Sequence, residues 1–227
     1  MKVSLIQMNS ISDKAANLAE AKRLIELAVA QERPDWVSLP ECFDFLGAGR
    51  REKFAAAEIL PGGPAYSLMQ DLARRHRIFI HAGSILEKVE GQERIHNTTL
   101  VFDRDGREIA RYRKIHMFDI TAPDGAQYRE SAAFAPGDAV VTYEAEGMIF
   151  GCAICYDLRF PGLFQALADK GAEAIALPAA FTLQTGKDHW EVLCRARAIE
   201  TETYFLAAAQ TGAHVAGNET RQTYGHS

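Results

Sequence analysis

Hydrophobic and polar positions follow two different spacings along the chain, and together they predict a mixture of strands and helices. Short continuous apolar runs are typical of buried strands, whereas apolar residues three to four positions apart are typical of helices that bury one face. The predicted strands cover 3–8, 36–39, 78–85, 139–143, 148–154, 174–177 and 204–209. The predicted helices cover 13–31, with Ser12 as the cap, and 66–76, 158–170 and 189–201.

Two further strands are predicted to pair as an antiparallel hairpin. They cover 95–102 and 108–112, and the sequence DRDG between them is typical of a tight turn. A long loop is expected over 113–138. Strands and helices that alternate in this way predict an α/β fold with a mixed sheet covered by helices, although the pattern leaves the strand order open. Residues 1–227 are expected to form a single domain, since no repeat or linker interrupts them.

Composition narrows the class of protein. Of the 227 residues 48% are hydrophobic and 24% are charged, which is ordinary for a globular protein. The net charge of −5, without a long basic run, argues against nucleic-acid binding. The apolar start of the chain is shorter than a signal peptide needs, and no window approaches the ~18 apolar residues of a membrane span. Four cysteines are few for a disulfide scaffold, so we expect a soluble cytoplasmic protein.

Three polar residues share one kind of placement in the predicted fold. Glu41, Lys114 and Cys155 each follow a predicted strand. Because ligands of α/β sheets bind beyond the carboxyl ends of strands, we expect these three side chains to converge.

Each of the three residues has a functional and an ordinary interpretation. A cysteine between a strand and a helix is exposed to the helix dipole, which favours the thiolate, but Cys155 is equally well a small core residue. Partial burial would raise the pKa of Glu41 towards that of a general base, but most glutamates are solvated. Lys114 lies in a basic stretch and is alternatively a surface lysine.

The spacing of Cys152 and Cys155 raises two further possibilities, a redox pair and a zinc site. A redox pair requires both sulfurs at the start of the helix, whereas Cys152 lies within the predicted strand. A zinc site requires a second pair of Cys or His at ligand spacing, which the chain lacks. We therefore expect no metal, and we expect Cys152 to be a core residue.

Taken together, the motifs around these residues resemble a known family. LPECF around Glu41, RYRKIH around Lys114 and GCAICYDLRFP around Cys155 are similar to the three signature motifs of the nitrilase (carbon–nitrogen hydrolase) superfamily. The similarity extends over nearly the whole chain and implies an α-β-β-α sandwich. It also implies that Cys155 is the nucleophile, Glu41 the general base and Lys114 the oxyanion stabiliser, with no cofactor.

The resemblance extends to residues around this triad. It implies that Glu130, in YRES, orients Lys114 and the substrate, and that the backbone N–H of Tyr156 is a second oxyanion donor. Asp157 and Arg159 are expected to hold the turn by polar contacts. Phe181 and Thr185 are the expected substrate contacts, with core packing of Phe181 and helix capping by Thr185 as the alternatives.

The substrate implied by the resemblance is a small amide. The segments TLQTGKDHWEVLCRARAIET and YGHS are most similar to the deaminated-glutathione amidase branch, whose enzymes release cysteinylglycine. The alternative is the ω-amidase branch, which releases ammonia from α-ketoglutaramate or α-ketosuccinamate.

Assembly and completeness are further expectations from the resemblance. The helix after Cys155 and the helix over 189–201 imply a homodimer, with His189 in a structural role. The chain ends at YGHS, where relatives continue, so we expect a C-terminally truncated sandwich that lacks its C-terminal strands and has an exposed sheet edge. An inactive fragment that serves as a binding module is the alternative to an active amidase.

Overall fold

The computed structural model describes residues 1–47, 49–121, 125, 127–216 and 219–227. Within these ranges the helices are α1 Lys14–Glu32, α2 Arg50–Ala56, α3 Pro64–His76, α4 Pro161–Asp169 and α5 Leu183–Thr201. The strands are β1 Val3–Leu5, β2 Trp36–Ser38, β3 Phe79–His81, β4 Ile85–Glu87, β5 His96–Phe102, β6 Glu108–Arg113, β7 Asp119–Thr121, β8 Gln127–Arg129, β9 Thr142–Ala145, β10 Met148–Cys152, β11 Ala174–Ala176, β12 Tyr204–Leu206, β13 Thr211–Ala216 and β14 Glu219–Tyr224.

Two sheets contain most of the strands. The first has the order β1-β2-β3-β5-β4, with β6 also paired to β5, and its first three strands are parallel. The second has the order β12-β11-β10-β9 and is parallel except for the hairpin of β9 and β10. The predicted hairpin of 95–102 and 108–112 is confirmed as β5 and β6.

The two sheets pack against each other, and the helices cover their outer faces. Trp36 of the first sheet stacks on Phe150 of the second, with ring centroids 5.3 Å apart, and its Nε1 donates to Tyr143 Oη at 3.0 Å. Helices α1 and α3 pack together on the first sheet, and α4 and α5 on the second. The predicted α-β-β-α sandwich is thereby confirmed.

Several predicted boundaries are wrong for local reasons. The cap of α1 is Asp13 rather than Ser12, because the Asp13 carboxylate accepts the Ala16 N–H at 3.0 Å. The predicted strand over 78–85 is two strands, β3 and β4, separated by Gly83. This glycine has φ +47°, and a Cβ there would overlap the carbonyl oxygens of Leu39 and Pro40, immediately before Glu41.

Two further differences affect the walls of the pocket. Helix α5 begins at Leu183, six residues before the predicted start, because Thr182 provides the extended N-cap residue. The expected loop over 113–138 contains the short hairpin of β7 and β8 and a 3₁₀ turn, Glu130–Ala132. No helix in the described parts of the chain is long and apolar enough to cross a membrane.

Candidate active site

Glu41 lies three residues beyond β2, and its backbone is held from two directions. The next residue, Cys42, has φ +54° and donates its N–H to Ser84 Oγ at 2.9 Å. The side chain of Gln210 donates to the Glu41 carbonyl oxygen at 3.0 Å and to Ser10 Oγ at 2.7 Å. The loop that carries Glu41 is therefore fixed by residues distant in sequence.

Glu41 is 4% exposed, and its two carboxylate oxygens have different partners. Its Oε1 accepts from Asn97 Nδ2 at 2.8 Å and from Lys114 Nζ at 3.0 Å. Its Oε2 accepts the Ala180 N–H at 2.9 Å. The interpretation of Glu41 as a solvated loop carboxylate is thus wrong.

The pKa of Glu41 is shifted in the direction opposite to the expected one. Burial alone would raise its pKa, but the charge of Lys114 and the hydrogen bonds from Cys155 and Lys114 outweigh burial, and the pKa is lowered. The predicted rise is wrong because burial here is accompanied by a buried cation. Glu41 is therefore ionised at neutral pH and can accept a proton.

Lys114 follows β6 directly and is 2% exposed. Its ammonium group donates to Glu41 Oε1 at 3.0 Å, to Glu130 Oε1 at 3.0 Å and to Glu130 Oε2 at 2.9 Å. Burial would lower its pKa, but the charges of Glu130 and Glu41 raise it well above the ordinary value. Lys114 is a permanent cation inside the fold, so the surface-lysine alternative is wrong.

Glu130 completes this charged cluster from the 3₁₀ turn in which it is the first residue. The Phe118 N–H donates to its Oε2 at 2.6 Å, so the carboxylate is oriented by the backbone as well as by Lys114. The structure thus places Glu130 within hydrogen-bonding distance of Lys114, the residue that the resemblance implies it orients.

Cys155 lies just beyond β10 and has an unusual backbone. Its φ is +46°, a left-handed conformation that costs a residue other than glycine roughly 1–2 kcal/mol. Its own N–H is engaged by the Pro178 carbonyl at 2.9 Å. The next amide belongs to Tyr156, the second residue of the 3₁₀ turn Cys155–Arg159, where an N–H has no carbonyl partner within the turn. Tyr156, rather than Cys155, therefore has an amide available to an external acceptor.

Cys155 is 7% exposed, and its thiol is protonated at rest. Burial, the negative charge of Glu41 and a hydrogen bond to that carboxylate raise its pKa well above the ordinary value, against the opposing charge of Lys114. The expected thiolate is wrong, because burial and Glu41 oppose it and because Cys155 is the first residue of a five-residue 3₁₀ turn, with α4 beginning only at Pro161. The resting site is a thiol beside an ionised carboxylate.

The neighbouring cysteine does not share this environment. Cys152 lies within β10, is fully buried and is a free thiol like Cys155. Among the residues that the structure describes, no group of three His, Cys, Asp or Glu side chains is arranged to hold a metal ion.

The turn that follows Cys155 is held by a buried carboxylate, as expected. Asp157 Oδ2 accepts from Tyr112 Oη at 2.7 Å and from the Ile154 N–H at 2.8 Å. Its Oδ1 accepts the His116 N–H at 3.0 Å and lies 2.7 Å from His116 Nδ1. Four contacts from three residues, Tyr112, His116 and Ile154, fix the backbone around the Cys155 thiol.

These groups form the floor of a pocket of about 880 Å³, which Glu41, Lys114, Glu130, Cys155 and Tyr156 all line. Two cations, Lys53 and Arg129, stand at its wall with a third, Arg221 of β14.

The two expected substrate contacts also line this pocket. Phe181 is at the same time a core residue, since its ring packs against Trp190 with centroids 5.1 Å apart. The guanidinium of Arg159 lies 5.4 Å from the same ring and donates towards His189. The capping alternative for Thr185 is wrong, because Thr182 is the N-cap residue of α5; the two hydroxyls are 2.7 Å apart.

Three contributors to the site escaped prediction. Asn97 hydrogen bonds to Glu41 from within β5, and the polar run HNTT in a predicted strand was a signal for it. The Ala180 N–H is a backbone group without any sequence signal. Arg221 lies in β14, a strand that the hydrophobic pattern did not predict.

Comparison with known proteins agrees with this geometry. Residues 2–227 match the carbon-nitrogen hydrolase family model, and the chain belongs to that family. It is therefore an enzyme that hydrolyses carbon–nitrogen bonds other than peptide bonds.

Individual relatives have the same fold and related names. The chain is 42% identical over 224 residues to a deaminated glutathione amidase of Synechocystis sp., covering 97% of this chain and 80% of the relative. It is 37% identical over 211 residues to the omega-amidase NIT3 of Saccharomyces cerevisiae, covering 91% and 72%. The crystal structure of the Caenorhabditis elegans NitFhit protein superposes with a TM-score of 0.88 at 38% identity, covering 99% of this chain and 54% of that one.

Proposed function

We propose that this protein hydrolyses the amide bond of deaminated glutathione and releases 2-oxoglutarate and cysteinylglycine. The observation that carries the proposal is that Cys155 lines the same pocket as a buried Glu41, which is itself paired with Lys114 at 3.0 Å. The identity of the substrate is supported by the 42% identity to the cyanobacterial deaminated glutathione amidase.

The first step is attack of sulfur on the amide carbon. Glu41 takes the proton of Cys155 as the carbon–sulfur bond forms, and the carbonyl electron pair moves to oxygen. The oxyanion accepts hydrogen bonds from the Lys114 ammonium group and from the Tyr156 N–H. One such donor is typically worth about 10²–10³ in rate.

The second step expels the amine. Glu41 returns its proton to the amide nitrogen, the carbon–nitrogen bond breaks, and a thioester remains on Cys155. Glu41 then deprotonates a water molecule that attacks the thioester, and the sulfur leaves as a thiol with the proton that Glu41 holds. The cycle restores the thiol and carboxylate of the resting site and uses neither metal nor organic cofactor.

Glu130 acts through Lys114. Its two oxygens accept two of the ammonium protons, and Glu41 Oε1 accepts a third. This arrangement fixes Nζ beside the thiol, and one Glu130 contact is exchanged for the oxyanion when it forms. Phe181 and Thr185 form the wall against which the 2-oxoacid part of the substrate packs.

The second candidate is an ω-amidase, and the 37% identity to the yeast omega-amidase supports it. Its substrate α-ketoglutaramate has the same acyl part as deaminated glutathione, and both would leave the same 2-oxoglutaryl group on Cys155. The two candidates differ only in the leaving group, ammonia or cysteinylglycine.

The assembly that we propose is a homodimer formed through α4 and α5. On α5, Val192 is 67% exposed and Ile199, two turns further along the same face, is 77% exposed. Large apolar side chains that repeat on one exposed helix face favour burial in an interface. A reducing cytoplasmic location suits the four free cysteines.

The experiment offers purified protein each substrate separately and measures cysteinylglycine and ammonia. Faster release of cysteinylglycine, abolished in Cys155→Ala and in Glu41→Gln but retained in Cys194→Ala, is the expected result. Faster ammonia release with the same mutant pattern would identify an ω-amidase. Failure of both reactions in protein with a cooperative melting transition would favour the inactive binding module.

A further inference from the structure

Arg221 lines the pocket with a guanidinium group that has only part of its hydrogen bonds satisfied. Its Nη2 donates to the Ala180 carbonyl at 2.8 Å. Its Nε is buried without a partner, and no carboxylate lies within ion-pairing distance of it among the side chains that the structure describes, which do not include that of Glu219. A guanidinium has five donors in a planar fork that matches a carboxylate, so this environment suits an anionic ligand.

The contacts of Ala180 locate Arg221 on the Glu41 side of the site. Ala180 donates its N–H to Glu41 Oε2 at 2.9 Å and accepts from Arg221 through its carbonyl. The path from Glu41 Oε2 to Arg221 Nη2 crosses these two hydrogen bonds and the backbone of Ala180, so the two atoms are at most about 10 Å apart. The charge of Arg221 is close enough to contribute to the lowered pKa of Glu41, after the larger effects of burial and Lys114.

The leaving group of the substrate lies on this side of the site. In the proposed function Glu41 protonates the departing nitrogen, so that nitrogen must lie within hydrogen-bonding distance of its carboxylate. In cysteinylglycine the carboxylate lies two residues from the departing nitrogen, a span of about 7 Å. A carboxylate at that distance can reach Arg221, whereas ammonia places nothing there.

We propose that Arg221 is the residue that selects substrates whose leaving amine carries a carboxylate, and that it does so by binding the carboxylate of the dipeptide through its guanidinium group. The proposal rests on the proposed function and adds the reason why a peptide-releasing substrate is preferred to an ammonia-releasing one. The acyl parts of the two candidate substrates are identical, so selection between them requires a residue on this side.

The other two cations of the pocket serve as comparisons. Arg129 is an exposed residue at the end of β8, next to Glu130. The Lys53 ammonium lies over the Phe134 ring at 5.8 Å. The hydrogen bond to the Ala180 carbonyl comes from Arg221 and from neither of these two residues, so Arg129→Gln removes the same charge from the same pocket and is the matched control.

The test measures binding, so that it does not depend on turnover. In a Cys155→Ala background, calorimetry gives the dissociation constants of deaminated glutathione and of the same molecule with its terminal carboxylate replaced by a carboxamide. We expect the carboxylate to bind about 10- to 100-fold more tightly than the carboxamide. Arg221→Gln should abolish that ratio, Arg221→Lys should retain part of it, and Arg129→Gln should leave it unchanged.

The alternatives are distinguishable in the same data. Equal binding of carboxylate and carboxamide to Cys155→Ala, or collapse of the ratio in Arg129→Gln instead of Arg221→Gln, overturns the role of Arg221 while leaving the proposed function intact. An Arg221→Gln effect of equal size on both ligands indicates a structural role and also overturns it. If neither deaminated glutathione nor its carboxamide binds to folded Cys155→Ala, the proposed function itself fails and the inference with it.

Discussion

Replacement of Lys114 by methionine tests the buried charge cluster directly. The ammonium group makes three charge-assisted hydrogen bonds, of 2.9–3.0 Å, to two carboxylates, and water has almost no access to it. Methionine preserves much of the side-chain volume but leaves Glu41 and Glu130 facing each other without a cation. Removal of one partner from a buried ionic group typically costs about 3–5 kcal/mol.

The predicted stability change is large enough to measure. In a chain of this size 1 kcal/mol corresponds to about 2–4 °C in Tm, so Lys114→Met should lower Tm by about 6–20 °C. The control is Lys22→Met, which removes an exposed lysine 3.9 Å from Glu26. An exposed pair contributes about 0–1 kcal/mol, so the control should melt within a few degrees of the wild type.

The sign of the pH dependence follows from the pKa shifts. In the wild type the lowered pKa of Glu41 contributes stability to the fold. This contribution is fully present above the pKa of a glutamate in the unfolded chain and is lost as the pH falls into the acid range. Without Lys114, burial dominates and raises that pKa, so the contribution is present only at low pH and is lost as pH rises. The stability gap between Lys114→Met and the wild type should therefore widen from pH 5 to pH 8.

Thermal denaturation at the two pH values, followed by circular dichroism, provides the measurement. The double variant Lys114→Met/Glu130→Gln should recover part of the stability, because one of the opposed carboxylates is neutralised, but activity should remain at least about 10²-fold below wild type. If Lys114→Met melts like the wild type at pH 8, or if its loss is the same at both pH values, the reasoning about the buried cluster is refuted.

Three further predictions concern the surroundings of the cluster. Asn97→Ala should reduce kcat/KM about tenfold and move the acidic limb of the pH–rate profile upwards, because a hydrogen bond to ionised Glu41 is lost; an unshifted limb would contradict this. Asp157→Asn should cost about 2–4 kcal/mol in chemical denaturation, since the amide nitrogen that replaces one carboxylate oxygen cannot accept the hydrogen bonds made there, and a loss below about 1 kcal/mol would show that they contribute little. Ile199→Asp should convert the proposed dimer to monomer in sedimentation velocity, whereas an unchanged dimer would place the interface elsewhere.

The sequence predicted the elements that carry strong local patterns. The short apolar runs predicted β2 and β10, and Glu41 and Cys155 were identified as polar residues that follow these runs. The α-β-β-α arrangement and the convergence of the site came from the family resemblance, because strand order depends on contacts between distant segments. The β13–β14 hairpin was missed because β14, ETRQTY, is polar except for Tyr224, and the apolar residues of β13, TGAHVA, are small and few.

The electrostatics of the site could not be predicted from residue types. The predicted pKa shifts of Glu41 and Cys155 both had the wrong direction, since each shift depends on which charged group lies within a few ångströms. A helix dipole was expected to favour the Cys155 thiolate, yet the folded chain places the thiol against a carboxylate, on the first residue of a short 3₁₀ turn. Proton transfer to Glu41 during attack, rather than a preformed thiolate, is the consequence for mechanism.

The central claim is that Cys155 carries the acyl group of the substrate, and trapping that thioester tests it most directly. Wild-type protein is mixed with deaminated glutathione, quenched in acid within the first turnover, digested and analysed by mass spectrometry. We predict a 2-oxoglutaryl adduct on the Cys155 peptide, the same adduct from α-ketoglutaramate, and none in Cys155→Ala. An adduct on Cys42, Cys152 or Cys194, or hydrolysis that persists in Cys155→Ala, would contradict the account.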